Sequence, residues 1–75
     1  MDREYKGSLY ARAGLEDYWV VNLADRVLEV YREPARDAAA PFGWRYTQRT
    51  GHGLPAEVTP LAAPGARVAV SRLLP

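Results

Sequence analysis

The feature that most constrains the fold is a short run, Tyr18-Trp19-Val20-Val21, in which every residue is aromatic or apolar. Such a run favours a strand covered on both faces, because a strand with one wet face shows alternation instead. Only one helix is predicted, over residues 2–13, and it precedes the run. A strand covered on both sides therefore requires a further layer, from a partner subunit or from an additional segment.

The predicted helix carries an apolar stripe. Tyr5, Leu9 and Ala13 recur at helical spacing, so we expect this stripe to face a sheet. Gly14 follows the last periodic residue and favours the end of the helix there, because glycine adopts the left-handed conformation of a C-terminal cap without steric cost.

Strands are predicted over residues 17–22, 27–32, 44–49 and 67–70. The connection between the first two is short enough for an antiparallel hairpin. Residues 33–42 contain prolines and no alternation, which indicates an exposed connection of variable path, and Ser71 is expected to cap a last turn. The predicted class is α/β in its α+β form, a single partial domain with one N-terminal helix packed on a mostly antiparallel meander of about three to five short strands.

Length and composition exclude several classes of protein. The chain has 75 residues, no cysteine, one histidine and a formal net charge of +1, so it offers neither disulfides nor the ligands of a zinc site. No apolar run approaches the roughly 20 residues that cross a bilayer, and no membrane partner is expected. The N-terminus does not resemble a signal peptide, which favours a cytoplasmic location.

Two groups of basic side chains are candidates for chemistry, and each has a simpler structural alternative. His52 lies between two glycines and suits general-base catalysis, but no nucleophile has a motif context, so a solvated loop histidine is favoured. Arg45 and Arg49 alternate with Trp44 and Tyr46. They can present cations to DNA phosphates beside stacking rings, or simply form the polar outer face of a strand, which the pattern favours.

Acidic side chains recur at the predicted strand ends and turns. Two of them could share one Mg²⁺ ion, but solvated acids in turns are the simpler explanation. These acids are Glu16, Asp17, Asp25, Glu29 and Glu33. On the helix, Lys6 follows Asp2 by four residues, a spacing at which an ion pair supports the helix by roughly 0.2–0.5 kcal/mol.

Several motifs occur in a characteristic order along the chain. They are Lys6, the segment LYARAGL at 9–15, DYWVVN at 17–22, LEVYR at 28–32, GWR at 43–45, VTPL at 58–61 and PGA at 64–66. In this order they resemble the Uma-two family of bacterial endonuclease-like proteins, which have a restriction-endonuclease-like fold of the PD-(D/E)XK class. Asp17 stands where the family usually has glutamate, and Asn22 where it usually has aspartate.

The resemblance implies a Mg²⁺-dependent DNA endonuclease of which this chain is the C-terminal half. In the family, the acids that bind the metal precede the lysine helix, and Lys6 matches the helix lysine that stabilises charge or positions water. Because the chain starts after those acids, we expect it to need no cofactor and to cleave no DNA alone. The alternative is a small assembly protein without catalysis that associates with itself or with a longer paralogue.

Overall fold

The computed structural model describes residues 3–74, a part of the chain that contains one α-helix, five strands and one 3₁₀ helix. The elements are α1 (Arg3–Arg12), β1 (Asp17–Asn22), β2 (Val27–Arg36), β3 (Trp44–His52), β4 (Glu57–Val58), β5 (Val68–Ala69) and a 3₁₀ helix over Val70–Arg72. The first three strands form an antiparallel sheet in the order β1-β2-β3, and β4 pairs antiparallel with β5. The predicted α+β class, one helix with antiparallel strands, is confirmed.

The described residues divide into two compact units with different interiors. The aromatic unit comprises the described residues up to Tyr18 together with Tyr31–Arg49. The aliphatic unit comprises Trp19–Val30 together with the described residues from Thr50 onward. Each of the three long strands contributes residues to both units, and the single partial domain expected from the sequence stays a prediction.

Helix α1 ends where the sequence predicts. The N–H of Gly14 donates to the carbonyl of Ala11 at 3.0 Å, and the N–H of Leu15 donates to the carbonyl of Tyr10 at 3.1 Å. These are the paired bonds of a Schellman motif, which satisfy carbonyls that the helix end would leave without partners. Gly14 has a φ of 82°, a left-handed conformation that only glycine adopts cheaply. The predicted first helical residue, Asp2, lies outside the described residues.

The helix buries a different face from the one that its apolar spacing predicts. Ser8 and Ala11 are buried, whereas Tyr5 is half exposed and Ala13 is exposed in the turn after the helix. The physical reason is a close approach by the β2–β3 loop, since the N–H of Phe42 donates to the Ser8 hydroxyl oxygen at 2.9 Å. Small side chains permit this approach. The expectation that the apolar stripe faces the sheet is therefore wrong for Tyr5 and Ala13, whereas Tyr10 beside them does contact Tyr18 of β1.

Tyrosine rings join the helix to the sheet within the aromatic unit. The ring centroid of Tyr10 on α1 lies 5.0 Å from that of Tyr18 on β1, in an edge-to-face arrangement. Tyr18, Tyr31 and Tyr46 lie on three adjacent strands, with centroids 5.6–6.0 Å apart. At these spacings each ring pair contributes about 0.5–1.5 kcal/mol beyond the area that it buries.

Strand β2 continues four residues beyond the predicted end at Arg32. The prediction stopped there because Pro34 cannot donate a ladder hydrogen bond. The chain accommodates this proline through a local irregularity, in which Glu33 has a positive φ of 58° and its carbonyl accepts the hydroxyl of Thr47 at 2.9 Å. Because a side chain satisfies that carbonyl, strand geometry resumes on the far side of the proline.

The β2–β3 loop is ordered, in contrast to the variable connection that the sequence predicts. The N–H of Asp37 donates to the carbonyl of Gly43 at 2.9 Å and closes the loop, and the N–H of Ala40 donates to the carbonyl of Asp37 at 3.0 Å. The Asp37 carboxylate also accepts the N–H of Ala39 at 2.9 Å. Gly43 permits the closure with a φ of 73°, and β3 then runs three residues beyond the predicted end at residue 49.

The aliphatic unit encloses a small core. Its buried members are Leu28, Val30, Val58, Val70 and Leu74, against which Trp19, Ala56 and Leu73 pack. The last predicted strand, 67–70, is shorter than expected because Val70 begins the 3₁₀ helix and its N–H donates to the carbonyl of Ala56 at 3.0 Å. Ser71 lies inside that helix, whose N-cap is Ala69 without a side-chain hydrogen bond, so the predicted serine cap is wrong.

Strand β1 is covered on both faces only in its middle. Trp19 packs against the aliphatic core on one face, and Val20 on the opposite face is buried. Val21, which shares the face of Trp19, is 40% exposed. The expectation of a fully covered strand therefore holds at its centre and is wrong at its end.

Candidate functional site

Lys6 lies on α1, as predicted, but on the flank turned away from the packed face. With about 100° per residue, it is roughly 140–160° around the helix from Ser8 and Ala11, the two buried side chains. Its side chain is exposed. Among the described residues no acidic side chain forms an ion pair with it. Lys6 can therefore contact only a group that approaches the exposed side of the helix.

Four acidic side chains of the described residues, those of Asp17, Asp25, Glu29 and Asp37, have protein partners. The Asp17 carboxylate accepts the Nε–H of Arg32 at 2.9 Å, and the Asp37 carboxylate lies 3.3 Å from Arg45. Glu29 is 1% exposed and accepts the Asn22 amide at 2.9 Å.

The same Asn22 amide donates to Asp25 at 3.1 Å, and the Asn22 carbonyl oxygen accepts the N–H of Asp25 at 3.1 Å. These contacts close the β1–β2 turn, and the Asn22 amide nitrogen lies between the Asp25 and Glu29 carboxylates that accept it. No group of three or more histidine, aspartate or glutamate side chains within residues 5–74 is arranged to hold a metal ion. This part of the chain therefore provides no site with three convergent protein ligands.

The two arginines proposed from the sequence to contact DNA have different surroundings. Arg45 is 63% exposed and forms the ion pair with Asp37, which compensates its charge. Arg49 is exposed, and its Nε–H donates to the Tyr31 hydroxyl at 3.2 Å while its guanidinium lies 5.9 Å from the Tyr31 ring centroid. The structure thus places Arg49 against Tyr31. Arg45 lies four positions earlier on the same strand and pairs with Asp37 instead.

His52 is the last residue of β3 rather than part of a flexible loop. Its Nε2 atom lies 3.0 Å from the Thr50 hydroxyl. A threonine hydroxyl on an exposed strand end is not the orienting carboxylate that a catalytic histidine uses, so these contacts provide no catalytic constellation.

Burial raises the pKa of Tyr46 on β3. Partial burial, followed by the nearby Tyr18 and Asp17, raises the pKa of the Tyr46 hydroxyl to about 12. The neutral hydroxyl donates to the carbonyl of Leu15, which favours the protonated form further. Tyr46 is therefore an uncharged hydrogen-bond donor at neutral pH and fixes the turn after α1 to β3.

The structure also pairs arginines with aromatic rings that sequence reasoning missed. The guanidinium of Arg12 lies 4.8 Å from the ring centroid of Phe42, and that of Arg36 lies 5.6 Å from the centroid of Trp44. The partners are 30 and 8 positions apart in sequence, so no local motif reveals them. The only available signal was the repeated occurrence of arginine near aromatic residues.

Comparison with known proteins identifies a family. The family model of Uma2, described as "Putative restriction endonuclease", matches residues 1–71, nearly the whole chain. No curated protein and no solved structure matches the chain. No helix within residues 3–74 has both the length and the apolar character needed to span a bilayer. Because the family model covers far more than half of the sequence, this chain belongs to the Uma2 family, as the ordered motifs around Lys6 indicate.

Proposed function

We propose that this chain is the scaffold part of a DNA endonuclease of the Uma2 type and that residues 1–75 alone do not cleave DNA. The family match, which covers residues 1–71, carries the nuclease assignment. The second part of the proposal is supported by four acids, Asp17, Asp25, Glu29 and Asp37, which are engaged with Arg32, Arg45 and Asn22. A Mg²⁺-dependent enzyme would obtain its metal ligands from residues other than these.

Lys6 is our candidate for a catalytic contribution in the complete enzyme. A lysine on an exposed helix flank can approach a phosphate that a neighbouring segment or subunit presents, and its ammonium group can stabilise the negative charge that develops there. Its exposure and its place in the ordered family motifs support this assignment.

Incubation of the purified chain with supercoiled plasmid DNA and Mg²⁺ or Mn²⁺ tests the proposal. We expect no conversion to nicked or linear plasmid. A matched reaction with EDTA and a Lys6→Ala variant provide the controls. Metal-dependent nicking by the purified chain would refute the inactivity, and nicking that persists in Lys6→Ala would remove Lys6 from the mechanism.

Self-association without catalysis is a second candidate, favoured by apolar exposure in the aliphatic unit. Val21 near the end of β1 is 40% exposed, and Leu23 in the turn that follows is 59% exposed. Strand β1 is an edge strand of its sheet. Exposed apolar residues beside an unpaired edge favour association with another copy or with a longer paralogue.

Size-exclusion chromatography with light scattering tests the second candidate. We expect a dimer or larger species for the purified chain, and a shift toward monomer for Val21→Thr/Leu23→Ser. Leu61→Ser is the matched control, because Leu61 is 48% exposed and lies away from the edge strand in sequence. A monomer at all concentrations would exclude self-association.

A further inference from the structure

Arginine–aromatic pairs are concentrated in the aromatic unit. Cation–π pairs occur roughly once per 70–80 residues in proteins. Arg12 with Phe42, Arg36 with Trp44 and Arg49 with Tyr31 all occur within the 72 residues from 3 to 74, and every one of them lies in the aromatic unit. The frequency exceeds the usual value about threefold, which directs attention to this unit as a binding surface.

Two of these pairs meet at the β2–β3 loop. Phe42 and Trp44 are separated by one residue, so their Cα atoms are at most about 7 Å apart. Arg12 reaches Phe42 from α1, and Arg36 reaches Trp44 from the end of β2. Both arginines are exposed and both rings are half-buried.

The charges of these two arginines are not compensated. Neither Arg12 nor Arg36 forms an ion pair with an acid among the described residues, in contrast to Arg32 and Arg45, which pair with Asp17 and Asp37. Two cations without acidic partners, each placed over a ring at the same loop, attract a polyanion. The planar guanidinium groups, each backed by an aromatic ring, also present surfaces on which a planar base can stack.

We propose that the four residues Arg12, Arg36, Phe42 and Trp44 form a binding surface for single-stranded nucleic acid, named here the loop platform. The guanidinium groups contact phosphates and stack on unpaired bases, a contact that bases inside a duplex cannot make. This inference rests on the proposed function for its nucleic-acid substrate and assigns the contact to Arg12 and Arg36 instead of Arg45.

Fluorescence anisotropy with a labelled single-stranded oligonucleotide of about 15 nucleotides tests the loop platform. The whole chain is used in EDTA, so the outcome is independent of metal-dependent cleavage. We expect Arg12→Gln/Arg36→Gln to weaken binding by about 25-fold or more, because each of two lost stacking contacts weakens it at least about 5-fold. The plot of log K against log salt should become less steep by about 1.4, because each lost phosphate contact of a single strand reduces the magnitude of the slope by about 0.7.

Arg67→Gln/Arg72→Gln is the matched control, because it removes the same charge from exposed positions of the aliphatic unit. It should change the affinity for the oligonucleotide less than about twofold if binding depends on the loop platform and not on the net charge of the chain. Equal weakening in both double variants would overturn the proposal. Arg36→Lys keeps the charge and loses the planar group, so it should bind more weakly than the unmodified chain even if the double variant fails to fold.

Trp44 fluorescence distinguishes stacking from charge attraction. In a Trp19→Phe background, we expect the oligonucleotide to quench Trp44 emission, and polyglutamate to compete weakly and leave the emission unchanged. Competition by polyglutamate as strong as that by the oligonucleotide would show a site for acidic proteins. Duplex DNA of the same sequence binding as tightly as the single strand would also overturn the proposal.

Discussion

The two units of the molecule are stabilised by different interactions. The aliphatic unit excludes water from five buried side chains that include Leu28 and Val70, both fully buried. The aromatic unit uses half-buried tyrosine rings and specific hydrogen bonds, such as that from Phe42 to Ser8. Because its aromatic and arginine side chains stay partly exposed, the aromatic unit keeps surface for a ligand. The aliphatic unit has a buried core but also carries exposed apolar side chains, such as Leu23 and Leu61.

Each unit also contains one tryptophan, so the comparison can be measured. Trp19 belongs to the aliphatic unit and Trp44 to the aromatic unit, and the chain has no other tryptophan. A Trp44→Phe variant therefore reports on the aliphatic unit by fluorescence, and a Trp19→Phe variant reports on the aromatic unit. Each variant provides the background in which the unfolding of one unit is measured.

The largest effect is expected from Leu28→Ala in the aliphatic core. Removing a fully buried leucine side chain loses its burial and leaves a cavity, so the free energy of unfolding should fall by about 2–5 kcal/mol. Urea unfolding followed by Trp19 emission measures this loss. Leu54→Ala, at a 49% exposed position of the same unit, should cost far less. A similar loss for both variants would contradict the assignment of the core.

A smaller effect is expected from Phe42→Ala in the aromatic unit. This ring contacts Tyr5 and Arg12, and the Phe42 N–H binds Ser8. Because the ring is half-buried, we expect a loss of about 2 kcal/mol, less than for a fully buried phenylalanine. Urea unfolding followed by Trp44 emission measures it. No change in stability would show that the loop does not depend on this ring.

Two glycines of the aromatic unit should respond to the same substitution with opposite signs. Gly14→Ala forces alanine into a φ of 82° and should lower the free energy of unfolding by about 1–2 kcal/mol. Gly7→Ala lies inside α1, where an added Cβ meets no atom within 4 Å, and should raise it by about 0.5–1 kcal/mol. Thermal unfolding followed by circular dichroism compares the two. Changes of the same sign would argue against a left-handed Gly14 at the end of α1.

The smallest effect is a pH dependence carried by Tyr46. Its pKa is about 12 in the folded chain and about 10 in an unfolded one. Folding therefore favours the protonated hydroxyl, and the resulting stability is fully present below about pH 10 and is lost as the pH rises toward 12. Urea unfolding between pH 9 and 12 should show this loss, and Tyr46→Phe should flatten it. An unchanged profile in the variant would assign the loss to other tyrosines.

Local signals predicted the elements that depend on neighbouring residues. Gly14 determines the helix end through its own backbone, and the bounds of β1 follow from a continuous apolar run, so both were predictable. The passage of β2 through Pro34 was not, because it depends on a hydroxyl from Thr47 on another strand. The packed face of α1 was missed for the same reason, since it depends on the approach of Phe42.

The candidate site shows the same division. Lys6 and its helix follow from an ordered set of motifs, whereas the compensation of Arg45 by Asp37 and the placement of Arg36 over Trp44 require the β2–β3 pairing. Sequence alternation indicates which side chains share a strand face, but it does not show which charges are neutralised from a neighbouring strand.

The exposed position of Lys6 has a practical consequence for genetics. Its side chain is not part of the packed interior of the described residues, so its replacement creates no cavity and should leave cellular protein levels close to normal. A phenotype of a Lys6→Ala allele would then reflect lost activity rather than lost protein. Alleles at Leu28 or Val70 would reduce activity and protein level together. Lys6 is therefore the position at which a genetic experiment can separate lost activity from lost protein.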